Sequence, residues 1–236
     1  MIPYGCQNID QDDIKAVADV LKSEYLTQGP CVPEFEDQLC QLTGSKFSIA
    51  VSSATAALHI ACLALEIGKD DLVWTSAISF VASSNCALYC GATVDFVDID
   101  RDTNNMSIKF LTEKLVEAKK DNKLPKVLIP VHLSGQPCDM EDIYKLSLEY
   151  GFKIIEDASH AIGATYGESR TGDSRYSDIT IFSFHPVKMI TTGEGGAALT
   201  NCPRLAEKML LFRSHGVTRD IDLFRNSSDG PWYYEQ

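Results

Sequence analysis

The residues best suited to chemistry lie in short stretches that follow candidate strands. Phe182 to Gly196 reads FSFHPVKMITTGEGG. Lys188 sits there in a mostly apolar run, with Phe182, Phe184, Val187, Met189 and Ile190 around it. Lysine is usually solvated, and shielding from water disfavours its ammonium form and lowers its pKa. A lysine that can lose its proton is a nucleophile able to form a Schiff base with an aldehyde. Taken alone, the stretch is more simply a loop lysine between two strands. Ser52-Ser53-Ala54-Thr55-Ala56-Ala57 opens a helix with small residues, which leaves backbone N–H groups free to hold an anion such as phosphate. Simple N-capping by Ser52 or Ser53 needs no ligand and is the plainer reading. Asp157, in Asp157-Ala158-Ser159-His160-Ala161, could cap the next turn or meet a cationic group. A pyridinium nitrogen needs such an anionic partner. His160 could donate to a phenolate oxygen or lie against a ring; a satisfied, half-buried histidine is at least as good a reading. Ser183 ends a strand and can bond a phosphate. Phe80 offers a flat face for stacking, or is a core aromatic. Each signal is modest. Together, a phosphate site, an anion for a ring nitrogen and a shielded lysine are the requirements for holding pyridoxal phosphate.

The elements that must position these groups follow from periodicity and punctuation. A helix is predicted from about Gln11 to Ser23 with Asp10 as N-cap and Ile14, Val17, Ala18 and Leu21 on one apolar face. Pro33 to Gly44 predicts a second, with Phe35, Leu39 and Leu42 turned inward. Strands are expected at 47–51, 72–74, 93–97, 127–131, 153–156, 180–183 and 197–200. Helices are expected at 55–65, 81–89, 108–119, 140–150 and 205–213, with Ser107 and Asp139 as caps. Cys86 and Cys90, one turn apart, read as core packing. Such alternation predicts a three-layer α/β/α domain with a seven-stranded, mostly parallel sheet. In such a sheet, ligands bind beyond the carboxyl ends of the strands. Residues 226–236 are polar and aromatic without periodicity and read as an exposed loop.

Composition narrows the partners. The 236 residues carry a formal net charge of −12. That balance argues against a nucleic-acid backbone or an anionic membrane as the main partner. The eight cysteines form no C-x-x-C pair, and neither zinc spacing nor H-E-x-x-H is present. No P-loop and no G-x-G-x-x-G fingerprint occurs. No signal peptide is visible, and no apolar stretch is long enough to span a bilayer. With scattered, unpaired cysteines, these features lead to the expectation of a cytoplasmic protein.

S-S-A-T-A-A at 52–57, I-S-F-V-A at 78–82, E-D-A-S-H-A at 156–161 and S-F-H-P-V-K…G-E-G-G at 183–196 resemble the DegT/DnrJ/StrS sugar-nucleotide aminotransferases. The likeness runs from Tyr4 to about Gly216. It implies the large domain of a fold type I enzyme with pyridoxal 5'-phosphate as cofactor. By that resemblance Lys188 is the Schiff-base lysine and Asp157 the pyridinium partner. Phe80 is the stacking aromatic, Ala54, Thr55 and Ser183 are the phosphate contacts, and His160 lies beside the ring. Y-L-T-Q-G at 25–29, K-M-I-T-T-G-E-G-G at 188–196 and F-R-S-H-G at 212–216 are similar to the UDP-4-amino-4,6-dideoxy-N-acetyl-β-L-altrosamine transaminases of pseudaminic acid synthesis. In that group Tyr4, Leu26, Thr27 and Gln28 would lie by the sugar nucleotide. The resemblance further implies L-glutamate as amino donor, a UDP-linked 4-keto-6-deoxy-N-acetylhexosamine as acceptor, and a homodimer.

Alternatives remain open at this level. One is a different sugar position or nucleotide, including carbon 3 of a dTDP sugar. Another is a dehydratase branch with histidine at the lysine position, which Lys188 opposes. A third is a cofactor-binding or regulatory module without turnover. Family members continue into an Asn-Tyr/Phe-Arg-Met-like segment and a small C-terminal domain. Neither occurs within residues 1–236, so the expectation is of a large domain, with its N-terminal helical segment, cut short.

Overall fold

The computed structural model describes residues 5–226, 230 and 232–236. Helix α1 spans Gln11–Lys22, and Asp10 caps it through a capping box with Asp13. Helix α2 spans Cys31–Thr43 and stops at Gly44, whose φ of 89° needs no Cβ to be avoided. Then come β1 (Phe47–Val51), α3 (Ala54–Ala64), β2 (Leu72–Ser76), α4 (Ala82–Tyr89), β3 (Thr93–Val97), α5 (Ile108–Lys120) and β4 (Val127–Ile129). They are followed by α6 (Met140–Tyr150), β5 (Lys153–Asp157), β6 (Thr165–Tyr166), β7 (Ser169–Arg170), β8 (Ile179–Ser183), β9 (Gly196–Thr200) and α7 (Pro203–Arg213). Short 3₁₀ turns lie at Leu133–Gly135 and Ile221–Leu223.

Seven strands form one sheet in the order β1-β9-β8-β5-β4-β2-β3, while β6 and β7 make a separate hairpin. Parallel pairing joins β3, β2, β4, β5 and β8. Strand β9 runs antiparallel to both β8 and β1, so it is the one reversed strand of the sheet. The reason is local. The connection from β8 to β9 contains no helix, so the chain cannot cross back to enter β9 in the parallel sense. Reversal brings the amino end of β9 to the same edge as the carboxyl ends of the other strands.

Side-chain alternation along the strands separates two packed faces. Val73, Val127, Ile129, Ile155, Ile181 and Ala198 pack with α3, α4 and α7. Trp74, Leu128 and Ile154 pack with α5 and α6 on the other face. On that side, toward β9, Phe182, Ala197 and Leu199 meet Leu39 of α2. Cys86 is buried in the first cluster and Cys90 packs against it.

Several expectations are corrected. Helix α1 forms, but it buries none of its residues; Ile14, Val17 and Leu21 are exposed because, among the described residues, no element covers that face. Leu42, in the last turn of α2, is also exposed, although Leu39 one turn before it is buried. Strand β2 continues to Ser76, whereas β4 stops at Ile129 and touches β5 again only through a Val131–Asp157 bridge. Asp139 precedes α6 without bonding it by its side chain. The β6–β7 hairpin has strands too short for periodicity to reveal. Among the described residues near the end, Thr218 and Glu235 pair as a β-bridge, and the rings of Phe224 and Tyr233 meet edge-on at 5.1 Å. This stretch therefore folds back on the chain more than its composition implies.

The end of β5 carries Glu156 and Asp157, and the two-residue period sends them to opposite faces. Glu156 is buried and accepts hydrogen bonds from His132 Nε2 (2.8 Å), Ser177 Oγ (2.8 Å) and Thr180 Oγ1 (2.8 Å). The Cys138 N–H donates to His132 Nδ1 at 3.1 Å, so Nε2 carries the ring proton. Desolvation alone would raise the Glu156 carboxyl; the bonds from His132, Thr180 and Ser177 outweigh it and hold the carboxyl below the usual range. Glu156→Ala is expected to cost about 3–5 kcal/mol at neutral pH, since it strands two buried donors, His132 and Thr180, and the half-buried Ser177. A depressed carboxylate contributes stability above its unfolded pKa and loses it as pH falls through the folded value. The gap between wild type and variant in denaturant unfolding should therefore narrow on acidification. A gap independent of pH would contradict the role given to the carboxylate.

Candidate active site

The edge where the strands end gathers most of the predicted residues. Gly196 pairs with Val51 on one side and Ser183 on the other. This places Ser183, buried at the end of β8, near the first turn of α3. That turn is capped by Ser53, whose hydroxyl accepts from the Ala56 N–H at 3.1 Å. The first N–H groups of a helix have no partner within it. Ser53 occupies one, and those of Ala54 and Thr55 are left for another acceptor. Capping by Ser53 therefore leaves the turn able to accept an anion.

Gly196 is what lets the two sides approach. A Cβ there would stand 2.4 Å from Ala54 N and 2.4 Å from the Ser53 carbonyl carbon. Backbone must move to admit it. Gly196→Ala is expected to cost about 1–3 kcal/mol of stability and to weaken binding of pyridoxal phosphate by spreading the turn. Chemical denaturation and equilibrium dialysis measure the two effects; unchanged affinity would show that the turn does not hold the phosphate.

Asp157 faces the side covered by α3 and α4 and is 4 % exposed. Ser83 Oγ donates to its Oδ2 at 2.6 Å, and the Ser159 N–H donates to its Oδ1 at 3.2 Å. No ion pair to Asp157 occurs among the described residues. A buried carboxylate is usually paired with a cation, so this one fits a positively charged ligand group. Ser79 Oγ lies 2.7 Å from Ser83 Oγ. The next residue, Phe80, is 70 % exposed and stands over a cavity of about 220 Å³ that Ser76, Ser79 and Phe96 also line. Phe80 is therefore not a core aromatic; its face is free.

Lys188 lies in the loop between β8 and β9. Phe184 N–H to Gly195 O (2.9 Å) and Thr192 N–H to Phe184 O (3.0 Å) close that loop at its base. Phe184 is buried edge-on against Phe35, ring centroids 5.2 Å apart. The shielding differs from expectation. Phe182 and Phe184 are buried below the loop, but Val187, Met189 and Ile190 are exposed. Lys188 itself is half-buried. Desolvation pushes its ammonium below the ordinary lysine value, and the charge of Asp157 pulls the other way.

His160 stands in the same field. Burial holds it below the ordinary histidine value, the positive Lys188 adds to that, and Asp157 opposes both. The Ser134 N–H donates to His160 Nδ1 at 3.3 Å. Gly135, at φ 91°, lets the 132–135 turn come close; a Cβ there would lie 2.9 Å from the His160 carbonyl oxygen. Lys188, Asp157 and His160 thus share one neighbourhood beside Ser83.

The residues expected near a sugar nucleotide divide. Tyr4 lies outside the described residues. Thr27 and Gln28 line a cavity of about 980 Å³ with Ser52, Arg213, His215 and Arg219. Leu26 is exposed and does not line it. This cavity meets the α3 turn at Ser52 and does not include Lys188 or Asp157. One wall is a cap on the open edge of β1: Glu36 Oε1 accepts from Ala50 N–H (2.7 Å) and from Arg213 Nη1 (2.5 Å), and Arg213 also reaches Ala50 O (3.3 Å).

Sequence reasoning missed Ser79, Ser83, the 132–135 turn and the Glu36–Arg213 cap. Ser79 and Ser83 had no periodic signal, because Ser79 lies in the bend before α4. The others depend on contacts between residues far apart in the chain.

The chain matches the model of the DegT/DnrJ/EryC1/StrS aminotransferase family over residues 7–230. It is 44 % identical over 219 residues to the UDP-4-amino-4,6-dideoxy-N-acetyl-β-L-altrosamine transaminase of Campylobacter jejuni, covering 93 % of this chain and 56 % of that protein. Helicobacter pylori PseC, an aminotransferase involved in the biosynthesis of pseudoaminic acid, superposes with a TM-score of 0.83 at 35 % identity, over 92 % of this chain and 57 % of its own. NtdA of Bacillus subtilis, solved with bound PMP, superposes with a TM-score of 0.76 at 32 % identity, over 86 % of this chain and 45 % of its own. The chain spans a little over half the length of the curated relatives it matches.

Proposed function

The chain belongs to the DegT/DnrJ/EryC1/StrS aminotransferase family, and from that premise we propose that it carries the pyridoxal-phosphate site of a sugar-nucleotide aminotransferase. The observation that carries the reading is the buried Asp157 carboxylate, without an ion-pair partner among the described residues, on the same strand edge as the open α3 turn and half-buried Lys188. Each answers a part of the cofactor: an anionic phosphate, a cationic ring nitrogen and an aldehyde carbon.

Bound there, the cofactor supplies a ring that accepts the electron pair released at a substrate carbon. The N–H groups of Ala54 and Thr55 and the hydroxyl of Ser183 would hold the phosphate. Asp157 would balance the charge of a protonated ring nitrogen. Phe80 and His160 would flank the ring. Lys188, with its ammonium disfavoured by burial, takes the α-proton of the amino donor at Nζ and gives a proton back as general acid. The donor is L-glutamate and the acceptor a UDP-linked 4-keto-6-deoxy-N-acetylhexosamine, aminated at carbon 4. The name of the C. jejuni relative and the matching 25–29 and 188–196 stretches support that acceptor. The net exchange turns an amino acid and a keto sugar into a keto acid and an amino sugar, in two half-reactions with ping-pong kinetics.

The reading includes a homodimer. Ile78, Phe80, Val81, Val187, Met189 and Ile190 are exposed apolar side chains in the two loops that flank the site, and a second subunit would cover them. It also includes a cytoplasmic location; among the described residues no helix is long and apolar enough to cross a membrane.

The test is an assay with L-glutamate and a panel of UDP- and dTDP-linked keto sugars, following 2-oxoglutarate. Release with the UDP 4-keto sugar is expected. Release only with a dTDP or 3-keto sugar would reassign the acceptor, and none from any sugar would refute amino transfer.

A further inference from the structure

The α4 start holds a hydroxyl pair that no step above uses. Ser83 is fully buried in the first turn of α4, yet its hydroxyl does not cap that helix. It reaches across the molecule to a carboxylate 74 positions away, at 2.6 Å. Ser79 Oγ sits 2.7 Å behind it. The direction of this chain of bonds is fixed by its end. An ionised carboxylate only accepts, so Ser83 spends its single proton on Asp157. The Ser79–Ser83 contact then requires Ser79 to donate to Ser83. The Phe80 carbonyl, 3.1 Å from Ser79 Oγ, competes for the same proton at longer range.

Two consequences follow from this geometry. The Ser83 bond on Oδ2 and the Ser159 N–H on Oδ1 pin both carboxylate oxygens, so the plane of Asp157 is set before any ligand arrives. Ser79 is joined to Phe80 by a peptide bond, so the same chain of hydrogen bonds ends on the neighbour of the residue that carries the stacking ring. The group that would meet the ring nitrogen and the ring that would stack on the same ligand are therefore held as one unit.

We propose that Ser83 is a positioning residue which, with Ser79 behind it, orients Asp157 and Phe80 jointly toward a planar cationic heteroaromatic ligand. This rests on the reading of the site as one for pyridoxal phosphate. Ser83 does not touch the ligand; it acts through Asp157.

The test uses the chain with pyridoxal phosphate as probe and two readouts: the dissociation constant by equilibrium dialysis, and the visible circular dichroism of the bound probe, which reports how its ring is held. Ser83→Ala is expected to weaken binding about 10-fold, the scale of one hydrogen bond to a charged group, and to change the dichroism. Ser83→Thr, which keeps the hydroxyl, should restore both toward wild type. Ser79→Ala should shift the dichroism in the same sense by less, and have no further effect when Ser83 is already alanine. Because Ser79 is only half-buried, its variant answers the question even if Ser83→Ala fails to fold. Wild-type dichroism in Ser79→Ala, or equal effects of Ser79→Ala in both backgrounds, would overturn the proposal. So would weaker binding by Ser83→Ala with an unchanged spectrum, the mark of general destabilisation. Failure of the wild-type chain to bind the probe is a separate result, and would count against the cofactor reading itself.

Discussion

Lys188→Ala is expected to lower the rate of amino transfer by about 10⁴-fold or more. General acid–base catalysis by a placed side chain is worth up to about 10⁴, and the covalent anchor for the cofactor is lost as well. The visible absorption of lysine-bound pyridoxal phosphate should vanish. Stability should change by no more than about 0.5 kcal/mol, as for substitutions away from the packed core, because Lys188 is half-exposed on a loop whose closure depends on Phe184, Thr192 and Gly195. Lys188→Arg separates charge from proton transfer. It keeps a cation that stays protonated, so it should be as inactive as the alanine variant. A readout free of cofactor comes from His160. The positive charge of Lys188 helps hold His160 below its ordinary value. In Lys188→Ala an NMR titration should show the His160 pKa moving up. An alanine variant within 10-fold of wild-type activity would remove Lys188 from the chemistry.

Asp157→Asn should reduce kcat by about 10³-fold, the upper range for removing one pre-placed electrostatic partner. The amide has the shape of the carboxylate and can still accept from Ser83. It carries no charge to balance a protonated ring nitrogen. The donor's KM should move only a few-fold, since the lost interaction matters most when charge develops. Stability should go the other way. Asp157 is a buried carboxylate bonded by Ser83 and Ser159, with no ion pair among the described residues. Neutralising it removes a desolvation cost, partly offset because the amide's single oxygen keeps only one of the two bonds, so a gain of no more than about 1 kcal/mol is expected. Loss of both stability and activity would mean that Asp157 is structural. Denaturant unfolding beside steady-state kinetics separates the two.

The fold was largely legible because its signals are local. Alternating strands and helices, with Gly44 and Gly151 in left-handed geometry at helix ends, set the elements within a few residues. The order of motifs along the chain also placed Ala54, Thr55, Phe80, Asp157 and Ser183 after strands that end at one edge. Which side chains would be covered was less legible. The periodic face of α1 is real and exposed, and the apolar run around Lys188 is buried only below the loop. Periodicity reports which residues share a face, and says nothing about what packs on it.

By itself, the sequence determined the residue types for a phosphate, a ring nitrogen and an aldehyde, and the elements that carry them. Only the tertiary structure decided that β9 runs against its neighbours, bringing Gly196 up against the α3 turn. It alone decided that the adjacent carboxylates Glu156 and Asp157 part to opposite faces, one satisfied by His132, Ser177 and Thr180, the other held by Ser83 and open to a cation. The physical reason is the same in each case. A hydrogen-bond partner or a close backbone approach between segments dozens of residues apart is set by strand register and packing, and no short stretch of sequence records it.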